Sequence, residues 1–109
     1  MQQGASLASN LIEIPLTPTP QQFAIQLAGV QYQMTLIWRD AAGWVLDIAN
    51  NDKTPLIQGV PLVAGADLLA QYRYLGIGGA LFVVSDPNVL APPTQDNLGI
   101  ASHLYFLAN

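Results

Sequence analysis

From Phe23 to Ile48 the apolar side chains fall on every second residue. Phe23, Ile25 and Leu27 alternate with Ala24 and Gln26, and Val30, Tyr32, Met34, Leu36 and Trp38 alternate with Gln31, Gln33 and Thr35. Trp44, Leu46 and Ile48 then alternate with Val45 and Asp47. Successive side chains leave a strand on opposite faces, so this period predicts three half-buried strands, each with one face on a core. The breaks between them are turn sequences. Ala28-Gly29 suits a tight hairpin, Asp40-Ala41-Ala42-Gly43 a second turn, and Asn50-Asn51-Asp52-Lys53 tolerates left-handed backbone. The expectation is an antiparallel meander.

Eight prolines and nine glycines in 109 residues keep the remaining elements short. Residues 11–16 are read as a first strand, followed by Thr17-Pro18-Thr19-Pro20 in an edge or a connecting loop, because proline removes ladder donors. A short strand is expected around 56–58. Residues 66–75 are read as the one helix, with Asp67 as its cap and Leu68, Tyr72 and Leu75 on one face. The apolar run over 80–84 reads as a strand buried on both faces, residues 86–99 as a long loop, and 104–107 as the last strand. The fold class expected is therefore a small antiparallel β-sandwich or barrel with one short helix. It forms a single β-rich domain over residues 11–109, preceded by a flexible N-terminal tail over 1–10.

Charge limits what such a domain can bind. Asp, Glu, Lys and Arg make up 9% of the chain, against a usual share of about 25%. Small monomers stay apart by covering themselves with mixed charge, so a surface this poor in it either relies on Gln, Asn, Ser and Thr or is hidden against partners, the second being the favoured reading. A net charge of −4, with only Arg39, Lys53 and Arg73 as cations, gives no basic patch for nucleic acid. Residues 14–38 carry no charge, yet prolines and glutamines interrupt them, so no membrane span is expected. The N-terminal residues lack the pattern of a signal peptide. The absence of cysteine removes thiol chemistry and thiolate metal sites, and permits a cytosolic origin.

Candidate chemistry is sparse. His103 is the only histidine, and a triad can be drawn from Ser85, Asp86 and His103, but no serine sits in a nucleophile elbow. Glu13, Asp40, Asp47, Asp52, Asp67, Asp86 and Asp96 are spaced singly, mostly in turns, where Asp serves the backbone. No calcium loop or paired-histidine spacing occurs. Gly76-Ile77-Gly78-Gly79 follows the predicted helix and enters a strand, the reverse of the order in which glycine loops cradle phosphate. Trp38 and Trp44 flank a turn and can pair across a hairpin, either as core or as a carbohydrate-stacking platform. The expectation is a protein that is not an enzyme and has no catalytic, cofactor-binding or metal residues.

The ordered series of short motifs carries a resemblance. Ile14-Pro15-Leu16, Phe23 with Leu27 and Gly29, Tyr32 to Trp38, Gly43-Trp44 and Leu46-Asp47-Ile48 form its first half. Gly59-Val60-Pro61-Leu62-Val63, Gly65-Ala66-Asp67-Leu68-Leu69, Leu75-Gly76-Ile77-Gly78-Gly79 and Asp96-Asn97-Leu98-Gly99 form the second. Over roughly residues 11–107 this resembles the baseplate plug proteins of contractile-tailed phages, of the kind known from a cyanophage baseplate. The resemblance implies a virion structural protein, mostly β, assembled in the host cytoplasm. It would associate with the tail hub and tube, as a homo-oligomer in the assembly, and close the distal lumen before ejection. Two alternatives stay open: another small tail or head-completion protein, or a non-enzymatic carbohydrate- or ligand-binding β module. Contacts with partners are expected from segments that the alternating strands leave free, namely residues 1–10, the stretch around Pro18 and Pro20, and the loop 86–99.

Overall fold

The structure, a computed structural model, describes residues 10–86 and 91–109. The tail expected over 1–10, apart from Asn10, and residues 87–90 of the long loop lie outside the described residues.

The meander forms as the alternation dictates. Strands β2 (Gln21–Leu27), β3 (Val30–Arg39), β4 (Gly43–Asn50) and β5 (Pro55–Pro61) make a four-stranded antiparallel sheet in sequence order. The turns set its register. Ala28 and Gly29, both at positive φ, close the β2–β3 hairpin with two residues, pairing Leu27 with Val30. Gly43, at φ 78°, lets β4 return so that Trp38 faces Trp44 directly. At the third turn Lys53 takes the left-handed conformation, and its amide donates to the Asn50 carbonyl at 2.8 Å.

Strand β5 runs further than the three residues expected. Two register shifts against β4 absorb the misfit, and at the first of them Gly59 adopts φ 75° while its amide donates to Asp47 Oδ1 at 2.7 Å. Pro55 and Pro61 are tolerated because β5 is an edge strand. Strand β1 (Leu11–Ile14) stops earlier than expected, since Pro15 has no amide to donate. The Pro-rich stretch after it links the two sheets. The Gln21 side chain staples it, donating to the carbonyls of Thr17 at 2.6 Å and Thr19 at 2.8 Å.

The second sheet has three antiparallel strands in the order β1, β7 (Ser102–Ala108), β6 (Gly79–Ser85). The first strand therefore pairs with the last, Leu11 with Leu107 and Ile14 with Leu104. Both sheets turn their apolar faces inward. Met34, Leu36, Trp44, Leu46 and Ile48 from one sheet meet Ile14, Leu81, Leu104 and Phe106 from the other in a shared core. This is the sandwich of the sequence reading, and its radius of gyration is 13.5 Å.

Two expectations need correction. The helix predicted over 66–75 is a 3-10 helix confined to Ala70–Leu75 and kinked at Tyr72. Asp67 does not cap it. Its Oδ1 accepts from the Leu69 amide at 2.9 Å and the Leu81 amide at 3.0 Å, while the Leu68 amide donates to the Leu81 carbonyl. These bonds commit residues 64–68 to the flank of β6, which leaves too few residues for an α-helix to nucleate. The second correction concerns the long loop. Residues 91–101 belong partly to the core: Leu98 is 1% exposed, Pro93 is buried, and Trp44 Nε1 donates to the Thr94 carbonyl at 2.9 Å. Gly99, at φ 80°, passes so close to the Leu16 carbonyl that a Cβ would collide with it.

This arrangement separates neighbouring residues of one loop. Leu98→Ala should cost about 2 to 5 kcal/mol of stability through the cavity it leaves. Ile100→Ala, at a side chain 65% exposed, should fall within about 0.5 kcal/mol of the parent. Denaturant titration of the two variants measures both.

Candidate interaction face

The pairing registers assign every strand residue to a face. On the outer face of the four-stranded sheet stand Gln22, Gln26, Gln31, Gln33, Thr35 and Asp47 with Ala24 and Ala49 between them, a largely polar face that turns apolar only at the Ile37–Val45 pair. The outer face of the three-stranded sheet is built differently. Across it, Leu11 pairs with Leu107 and Leu107 with Ala80; Glu13 pairs with Tyr105 and Tyr105 with Phe82; His103 pairs with Val84. Only Glu13 and His103 interrupt a surface of aliphatic and aromatic side chains. Phe82 and Val84 are half-buried and Leu11 and Leu107 each 39% exposed, so the strand read as buried on both faces is closed on its inner face and, on its outer face, at Ala80 only.

The polar residues of this face gather at one end. His103 Nδ1 lies 2.7 Å from Glu13 Oε2, and its Nε2 lies 3.4 Å from Asp86 Oδ2. Both carboxylates remain in contact with solvent, Asp86 more than Glu13. Tyr105 stands beside them, with its ring centroid 6.2 Å from that of His103. Burial pushes its phenol pKa up, and the negative charges of Glu13 and Asp86 push it further in the same direction.

Of the drawn triad only Asp86 and His103 come together. Ser85 belongs to the inner face and His103 to the outer, because they sit at opposite phases of adjacent strands. Ser85 Oγ donates to the Ala91 carbonyl at 2.7 Å, which leaves the Ser102 hydroxyl to donate to Ser85 Oγ at 2.7 Å. Both serines are fully buried, and their hydroxyls tie the long loop to β6 and β7.

The remaining candidates serve the backbone or the core. Trp38 and Trp44 pack edge to face, centroids 5.6 Å apart at 70°, with Trp44 2% exposed. Trp38 Nε1 donates to Asp40 Oδ1 at 3.0 Å, so the pair offers no flat stacking platform. Asp67 is bound by Arg73 at 2.6 Å. The Thr54 amide, donating to Asp52 Oδ1 at 3.0 Å, holds that carboxyl below the usual range. Gly76 and Gly78 take positive φ in the passage from the 3-10 helix to β6, and Gly79 is packed so tightly against Phe106 and the Leu107 carbonyl that no Cβ fits. An open cleft of about 320 Å³ lies between the end of β5 and the 3-10 helix. Its one acid is Asp67, already engaged. Among the described residues no group of three or more His, Asp or Glu side chains could hold a metal, and no helix is long and apolar enough to cross a membrane.

The fold and this surface define a small β-sandwich that presents one apolar sheet face. The family model described as cyanophage baseplate Pam3 plug gp18 matches residues 11–109, and the chain belongs to that family of baseplate structural proteins. No curated protein matches the chain.

Two measurements test this geometry. Ser85→Ala removes the partner of both the half-buried Ala91 carbonyl and the buried Ser102 hydroxyl, and should cost about 1 to 3 kcal/mol in denaturant titration. The raised Tyr105 pKa means that the folded protein holds this proton more tightly than the unfolded chain does. The associated stability is complete below about pH 10, the ordinary tyrosine value, and is lost as pH rises through the folded value. Tyr105→Phe should therefore show a smaller loss of stability between neutral and strongly alkaline pH than the parent.

Proposed function

We propose that this protein is the plug of a phage tail baseplate, a non-enzymatic subunit that associates with the hub at the distal end of the tube and closes the lumen before ejection. The observation that carries the reading is the family match across residues 11–109. The apolar outer face and the charge content of 9% support it, since both suit a subunit held against neighbours. A net charge of −4 suits a plug in the path of DNA, because it repels the phosphate backbone and does not retain it.

In this reading residues 11–109 act as one β domain, residues 1–10 form an arm that orders on a partner, and more than one copy is present in the assembly. Folding and assembly take place in the host cytoplasm, where the absence of cysteine spares the chain any dependence on disulfide formation.

A reconstruction of the intact particle tests the proposal. The chain should account for density on the tail axis at the baseplate, in contact with the hub, and particles lacking the chain should show an open distal lumen. Density in the capsid or at the head-to-tail connection would overturn it.

A further inference from the structure

The two outer faces of the sandwich obey different rules, and that difference locates the contact. The four-stranded sheet is finished toward solvent mainly with Gln and Thr, its apolar residues there being Ala24, Ala49 and one pair at the end of the sheet, Ile37 with the buried Val45. The three-stranded sheet is finished with Leu11, Phe82, Val84, Tyr105 and Leu107, an aromatic centre with aliphatic flanks. Aromatic side chains surrounded by aliphatic ones are the composition of interface centres. Exposed on an isolated molecule they would be an aggregation liability.

We infer that this face docks onto a different baseplate protein, one that presents an apolar strip ending in a lysine or arginine. The inference rests on the tail-component reading above. Charge decides what the occupant is. Glu13 and Asp86 converge at one end of the face, and the ring of His103 already lies between them. Both carboxylates keep contact with solvent, so that end is acidic, and the opposite end, at Leu11 and Leu107, has no charged side chain among the described residues of the face, the nearby Arg73 being committed to Asp67 and the Gly79 carbonyl. A two-fold contact between copies requires a self-complementary patch. Here such a contact sets the acidic end of one copy either over the apolar end of the other or against its own acids. Neither is complementary. Area points the same way. Two strands of seven residues and one of four fit within roughly 14 by 23 Å, on the order of 300 Å² or less, well under the 800 Å² or so per partner of a stable interface. The face is thus the apolar centre of a larger contact with a bigger partner whose cation meets Glu13 and Asp86.

Site-specific photo-crosslinking in assembled particles tests this. The full chain carrying p-benzoylphenylalanine in place of Leu107 should cross-link to another tail protein, at an apolar segment adjoining Lys or Arg. The same probe in place of Thr35, on the opposite face, should give no such product. Glu13→Lys should lower incorporation into particles by about tenfold or more, as a like charge set against the partner's cation would, while Gln33→Lys leaves it unchanged and both variants keep the parental melting temperature. Cross-linking of position 107 to a second copy, no product from 107, a product from position 35 instead, or normal incorporation of Glu13→Lys would each overturn the inference while leaving the tail-component reading in place. Absence of the chain from purified particles would overturn both.

Discussion

The molecule depends on the pairing of its first strand with its last. Strands β6 and β7 alone would be a two-stranded hairpin with a long connection, and an isolated hairpin has too little apolar face to hold itself together in water. Adding β1 makes a three-stranded sheet and brings Ile14 fully into the core. It also carries Leu16 beneath the returning loop, where Gly99 passes the Leu16 carbonyl at a distance only glycine permits. The same pairing places Glu13 against His103, two residues 90 positions apart in the chain. The core, the loop and the acidic end of the exposed face therefore share one cause.

The four-stranded sheet was legible in the sequence because its information is local. Each of its pairings joins neighbours across a short turn, so alternation and turn chemistry together set β2, β3 and β4 and their register, down to Trp38 against Trp44, while the length and bulges of β5 carried no such signal. The three-stranded sheet was less legible because its pairings are distant. Nothing in the residues around 11–14 or 102–108 names the other as its partner, and so Glu13 could not be placed with His103 and Asp86, the two members of the cluster that the sequence did set together. The helix over 66–75 failed for a related reason. Its spacing was helical, but a tertiary contact took Asp67 and Leu68 for β6. The loop 86–99 looked unstructured by composition, yet a single Leu98 and one tryptophan donor anchor its second half.

The apolar run over 80–84 shows a deeper ambiguity. Its outward residues Phe82 and Val84 carry the same signal as residues covered by their own chain, and the sequence correctly marked both faces as apolar. What the signal does not carry is whose atoms supply the cover. In a family of baseplate proteins a neighbouring subunit can do so, and composition then reads as a buried strand what the isolated fold leaves half open.

The edges of the two sheets bear on how such a chain is stored before it is used. Strand edges are templates for uncontrolled polymerisation, and most small proteins hold them apart by charge. This chain has little charge to use. Instead β5 carries Pro55, Pro61 and a bulge at Gly59, the flank of β6 is taken up by the Ala64–Val83 bridge and the bond from Leu68, and β1 is only four residues long before Pro15. Among the described edges only β2 is of ordinary length and unguarded. Backbone geometry here takes over the work of electrostatic repulsion at three of the four edges, and edge-to-edge growth has only β2 left to start from.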